Sequence, residues 1–183
     1  MDNDRRVRAL RAARAEMTSV RQRILHAAGG CSDELLLTPP SDGGWSGAEV
    51  LDHIHTAETL LVKALMKVER GEVVRIPKRA WYYRLPMSPV FWSLRIPAPK
   101  LVRPRPRAEI RPREVLESLA TSRAELLALA DRMGEEKFSR FVYPHFLLGR
   151  FTGLTWFQFI SGHERKHAGQ LERTLQKVTA ATS

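Results

Sequence analysis

The chain has 183 residues, of which 43% are hydrophobic and 27% charged, the composition of a soluble globular chain long enough to bury a full core. A single cysteine excludes an intrachain disulfide and suits a reducing cytosol, and no apolar run approaches the roughly 18 residues that cross a bilayer. The formal charge of +10 is local, because residues 75–113 hold eleven basic residues and one acidic residue and leave the remainder neutral. One domain over residues 1–183 in the cytoplasm is therefore expected, and the charged N-terminus MDNDRRVRALRAARAEM lacks the apolar stretch of a secretory signal.

The first predicted helix runs from about Asp4 to Ala28. Its apolar stripe is Val7, Leu10, Ala13 or Arg14, Met17, Val20 and Ile24, and Gly29-Gly30 stops it. Cys31 follows and reads as an ordinary loop cysteine, with an approach to a site at that end of the fold as the alternative.

The second helix opens with GWSGAEVLDHI. Ser46 and Glu49 fit a capping box, and Trp45 and Val50 occupy the positions of a hydrophobic staple. The stripe Val50, Ile54, Ala57, Leu61, Ala64, Leu65, Val68 ends near Gly71. At about 100° per residue, His53 lies about 60° from the centre of this stripe and His55 on the opposite face. An inward imidazole must be hydrogen-bonded, paired with a charge or bound to a metal, and at this point a satisfied core histidine and a ligand both stand. Asp52 and Glu58 read as surface or edge charges, and Glu164 borders a buried stripe.

Residues 75–113 form a basic crossover holding eight of the eleven prolines. Prolines 77, 86, 89, 97, 99, 104, 106 and 112 forbid a long helix there, although a turn around Ser88–Leu94 is compatible with the sequence. Trp81, Tyr82, Tyr83, Phe91 and Trp92 among the arginines suggest a strap packed along the protein. The alternative is a non-catalytic surface for single-stranded nucleic acid or an anionic membrane.

The third helix starts with Pro112 in its first turn, carries Val115, Leu116, Leu119, Leu126, Leu127, Ala130 and Met133, and stops at Gly134. The fourth runs from about Thr152 to Val178, and no strand pattern is evident between them. Two moderate links and one link of about 40 residues give an all-α, up-down-down-up four-helix bundle with a long Pro/Arg-rich crossover between helices two and three. Helices two and four are then antiparallel. In the fourth helix His163 and His167 stand at i and i+4 on the face of Trp156, Phe159, Ile160 and Leu171, shared with Gln170. That face meets His53 at a matching height, so the three imidazoles are either one divalent metal site or a hydrogen-bonded polar core.

Two motifs now stand together: P-x-x-x-x-x-W-S-x-x-E-V-L-x-H-I, from Pro39 or Pro40 to Ile54, and F-I-x-x-H-E-x-x-H-x-x-Q-L, from Phe159 to Leu171. With the bundle topology they resemble the DinB-like superfamily, which includes YfiT-type proteins and thiol-dependent S-transferases. The resemblance implies a divalent metal, usually zinc or nickel, on His53, His163 and His167, and a low-molecular-weight thiol as cosubstrate. The expected activity is thiol S-transfer or hydrolysis on a small molecule, with a homodimer by family analogy. Tyr143 to Gly149 also resembles a family segment of the HP-x-x-G kind with Pro and His reversed, and His145 is expected toward the end of the bundle opposite the metal.

Three histidines leave a coordination position open, as in catalytic zinc sites. Gln170 and Glu49 are the candidates for orienting a ligand, Glu49 being already explained by its cap. Arg103, Arg105, Arg107 and Arg111, returning with the crossover, are candidates for binding an anionic substrate. The alternative for these arginines is a solvated face or pairing with acids of a second subunit. A metal-stabilised protein without turnover also stands as a reading.

Overall fold

The computed structural model describes residues 2–72, 98–145 and 149–182. It is mostly helical. The helices are α1 (Asn3–Gly29), α2 (Asp33–Leu37), α3 (Gly47–Glu69), α4 (Pro112–Met133), α5 (Glu135–Arg140) and α6 (Gly153–Thr182). Between α5 and α6 lies a hairpin of β1 (Val142–His145) and β2 (Gly149–Thr152). None of the described helices is long and apolar enough to cross a membrane. The aromatic stretch 81–92 and the turn expected around Ser88–Leu94 lie outside the described residues.

The long helices begin where their caps predict. Asp2 accepts the Arg5 N–H at 2.7 Å to start α1. At α3, Ser46 Oγ accepts the Glu49 N–H at 3.3 Å while the Glu49 carboxylate accepts the Ser46 N–H at 2.8 Å, closing the capping box. Pro112 opens α4, and Gly134, with φ of 76°, separates α4 from α5.

The short elements depart from the sequence expectation. α2 and α5 are single turns that bury Leu36 and Phe138. The hairpin overturns the reading that the chain lacks strands: it is antiparallel, with Val142 opposite Thr152 and His145 opposite Gly149. Each strand has four residues, too few for a periodicity to register, and Pro144 is tolerated because in a two-stranded sheet both strands are edges. The hairpin docks through the Trp156 indole N–H, which donates to the Tyr143 carbonyl at 3.0 Å.

α1 packs on α6, α3 on α4, and α3 on α6. Their shared interior divides into two apolar clusters. One gathers Met17, Leu61, Leu126, Phe138 and Phe157, and the other Ile24, Leu51, Ile54, Leu119 and Leu171. At the boundary sits a charged layer with one residue from each long helix: Arg21, Glu58, Arg123 and Glu164. Glu58 accepts from Arg21 and Arg123 at 2.7 Å each and from the Ser122 hydroxyl at 2.8 Å. Glu164 accepts from Arg123 at 2.6 Å and also from Arg21. Burial pushes the Glu58 carboxyl up, but the two guanidiniums outweigh it and hold it below the usual range. Glu58, read from sequence as a surface or edge charge, is thus 3% exposed, and Glu164 belongs to the interior at 1%.

Candidate functional site

His53 is carried by the second turn of α3, where the cap and the burial of Val50, Leu51 and Ile54 fix the phase of the helix. His163 and His167 stand one turn apart on α6, whose phase is set by Trp156, Ile160 and Leu171. The three side chains converge, each offering a ring nitrogen within 4.8 Å of the others. His53 and His167 are buried and His163 is half-buried.

Hydrogen bonds fix two of the rings. His53 Nδ1 lies 2.5 Å from the Val102 carbonyl, which can only accept, so in the neutral ring the proton is on Nδ1 and the Nε2 lone pair faces inward. His167 Nδ1 donates to Gln170 Oε1 at 2.9 Å, which turns its Nε2 inward as well. His53 Nε2 faces His163 Nε2 at 3.1 Å. All three rings are held in the neutral form. Burial lowers His53, against weaker opposing effects of the Val102 carbonyl and Asp52. Burial, then the imidazoles of His167 and His53, pushes His163 well below its ordinary value, and burial with His53 takes His167 to about 3. Neutral imidazole is the form in which histidine binds metal, and His53 and His167 turn their lone pairs toward His163. Tetrahedral zinc with Zn–N near 2.0–2.1 Å places ligand nitrogens about 3.3 Å apart, so the donor set fits such an ion after small side-chain adjustment.

Aromatic rings wall the cluster. Trp45 lies 5.1 Å from the His53 ring and stacks over His167 at 6.4 Å, and Phe159 stacks on His163 at 5.8 Å. The staple position of Trp45 was legible in sequence, but its stacking over His167 of α6 was not, since a staple predicts contact with its own helix.

The other residues singled out from sequence have definite places. Gln170 meets His167, while Glu49 serves the cap and also accepts from Arg107 at 2.9 Å. Asp52, expected at the surface or an edge, is 1% exposed. Its carboxylate accepts from the Arg105 backbone N–H at 2.8 Å and from the Arg105 guanidinium at 2.7 and 3.0 Å. Arg105 and Arg107 are therefore engaged with carboxylates of α3, whereas Arg103 donates to the Ala98 carbonyl and Arg111 to the Ala108 carbonyl. Cys31 stays in the α1–α2 turn, its thiol 3.4 Å from the Ala27 carbonyl. His55, expected to face outward, is half-buried in a cleft between α3 and α4 with Lys63, Glu114 and Ser118. His145 departs from its expected place: the hairpin folds it back onto Trp156 and Phe159, one ring removed from His163. Among the described residues the cluster of metal-competent groups is His53, His163 and His167, without His145 or Cys31.

The family model of the DinB superfamily matches residues 16–171, a span that holds every residue of the cluster and of the charged layer. Uncharacterized protein YuaE of Bacillus subtilis (strain 168) is 29% identical over 156 residues, covering 83% of this chain and 90% of that protein. No solved structure matches the chain. Helices that bring three histidines together from two distant motifs, within a match of this extent, lead to one assignment: the chain belongs to the DinB superfamily.

Proposed function

We propose that this protein binds one divalent metal ion, zinc or nickel, through His53, His163 and His167, and uses it in thiol S-transfer or hydrolysis of a small molecule. The observation that carries the reading is the pair of ring nitrogens facing each other at 3.1 Å while the His53 proton is committed to the Val102 carbonyl. The His53 Nε2 lone pair is thereby turned toward His163, whose Nε2 either donates its N–H to it or, with the proton on Nδ1, faces it across a position that a shared cation fills. Bound there, a divalent ion would supply Lewis acidity toward a thiolate or a water. The chain's own part is to hold the His53 and His167 rings in one tautomer through Val102 and Gln170, and to pack Trp45 and Phe159 against the three imidazoles.

The same reading includes an up-down-down-up bundle. It is supported by contacts that ascend together between α1 and α6 (Glu16 with Arg165, Arg23 with Glu172) and between α3 and α4 (Glu58 with Arg123, Glu69 with Arg132). Contacts between α1 and α4 run in the opposite order (Arg14 with Asp131, the Met17 carbonyl with Arg123, Arg21 with the Leu119 carbonyl). The substrate is proposed to be anionic, because Arg103 and Arg111 contact carbonyls and, among the described residues, no carboxylate pairs with either. Neutralising both should weaken binding of acidic thiols, and unchanged affinity would remove them from the site. A cytoplasmic homodimer completes the proposal, and sedimentation of the purified protein tests the dimer.

The decisive experiment is metal content per chain by elemental mass spectrometry on untagged protein beside His53→Ala and His163→Ala. About one zinc or nickel per chain, lost in both variants, supports the site. Absence of metal after reconstitution with either ion rejects it.

A further inference from the structure

The described end of the crossover runs back along the start of α3, stepping down the helix as it goes. Val102 meets His53, Arg105 meets Asp52, and Arg107 meets Glu49. We infer that residues 99–107 are a positioning strap, in which the Arg105–Asp52 clamp fixes the Val102 carbonyl that selects the tautomer and orientation of His53. The inference rests on the metal-site reading for its importance, but not for its geometry.

The strap is built for rigidity. Val102 closes a 3-10 turn over Lys100–Val102, its N–H donating to the Pro99 carbonyl at 3.0 Å, and its side chain is buried. Pro99, Pro104 and Pro106 restrict the backbone on either side, which lowers the entropy lost when the strap is ordered. Asp52 then holds Arg105 at three points, one of them the backbone N–H, so the clamp places the main chain as well as a side chain. Two residues, Arg103 and Pro104, separate this anchor from Val102. An imidazole has a broad torsional preference about its last bond, so an outside acceptor must decide which nitrogen points at its neighbours. The arrangement gives Arg105 a role other than substrate binding, and it gives Asp52 a reason to be buried beside a histidine.

The test has two arms, run on wild type, Arg105→Ala, Asp52→Asn and the distant control Arg132→Ala, which removes an exposed pair with Glu69. In the first arm, long-range 1H–15N spectra of the metal-free protein report the His53 tautomer. Wild type and the control should show Nδ1–H alone, while Arg105→Ala and Asp52→Asn should show a mixture. In the second, competition with a chromophoric chelator gives zinc affinity, which should fall about tenfold or more in the two clamp variants with no fall in the control. The Arg105 side chain is half exposed, so Arg105→Ala keeps the test available if Asp52→Asn fails to fold. Wild-type tautomer and wild-type affinity in Arg105→Ala would overturn the strap. Failure of wild type to bind zinc or nickel would overturn the metal reading instead, and the spectra would still decide the strap.

Discussion

Trp45 shows how much one side chain can report about this site. Its ring lies against both His53 and His167, so a cation that orders those imidazoles changes the surroundings of the indole. Titrating zinc or nickel should alter tryptophan emission. Trp45→Phe should abolish most of that change while metal stoichiometry stays the same, since no indole atom is a ligand. A full response in Trp45→Phe would place the reporter elsewhere among the four tryptophans. His145 allows a second prediction. Burial depresses it to about 4 from an ordinary 6.5, so between these values the unfolded chain binds a proton that the folded chain does not, and stability rises with pH through that window. On acidification His145 should cost about 2 kcal/mol by pH 5 and about 3 by pH 4. His145→Phe, which suits an environment of Phe151, Trp156 and Phe159, should flatten the urea-unfolding free energy between pH 7 and 5 by about that amount. An unchanged slope would mean that the folded protein accepts the proton. At this scale the three histidines were legible because helical phase and chain connectivity could be combined. The Val102 carbonyl was not, because every residue has one and no side chain announces its use.

Among the elements, α1, α3 and α4 were readable because each carries chemistry at its ends that belongs to few other structures: the Ser46–Glu49 box, the Pro112 start, and the glycines after Ala28 and Met133. α5 and the hairpin are stabilised by what they touch, and so their own residues say little about them, while α2, though capped by Ser32, is too short to carry a stripe. Gly153, at the junction of hairpin and α6, shows the difference. It has no unusual sequence context, yet a Cβ there would lie 2.1 Å from the Phe138 carbonyl oxygen and 2.7 Å from the Phe141 ring. Those are backbone and core atoms of α5 and its exit, which cannot swing aside. Gly153→Ala should therefore cost about 2 kcal/mol or more by chemical denaturation, despite alanine's better helix propensity. Ser46→Ala, which removes half of a capping box, should cost about 1 kcal/mol. If Gly153→Ala is the milder of the two, the approach of α5 to α6 is looser than the structure has it.

For the whole molecule, the charged layer is the contact that involves all four long helices at once, and its worth lies in their mutual register. Arg21 sits between Met17 and Ile24, Glu58 between Ile54 and Leu61, Arg123 between Leu119 and Leu126, and Glu164 between Ile160 and Ala168, so each marks the point where one apolar cluster gives way to the other. A charge at such a position on one helix reads as an edge residue. Only four of them at one level reveal a layer, and that level depends on how the helices are aligned. Burying two carboxylates and two guanidiniums gives little net stability against an apolar layer, because desolvation offsets most of the attraction, but removing one member strands its partners without water. Arg123→Met should thus destabilise by about 3–5 kcal/mol, leaving Glu58 and Glu164 each with one fewer donor. The combined variant Arg21→Met, Glu58→Leu, Arg123→Met, Glu164→Leu should regain most of that loss in urea unfolding. If the layer sets register, the combined variant should also show broadened or doubled amide resonances, since Leu and Met can slide past one another where paired charges cannot. A combined variant that is stable and gives one sharp set of resonances would mean that the two apolar clusters align the helices by themselves. A single variant that loses nothing would mean that water reaches the layer, and the four residues would then be no more than a solvated cluster.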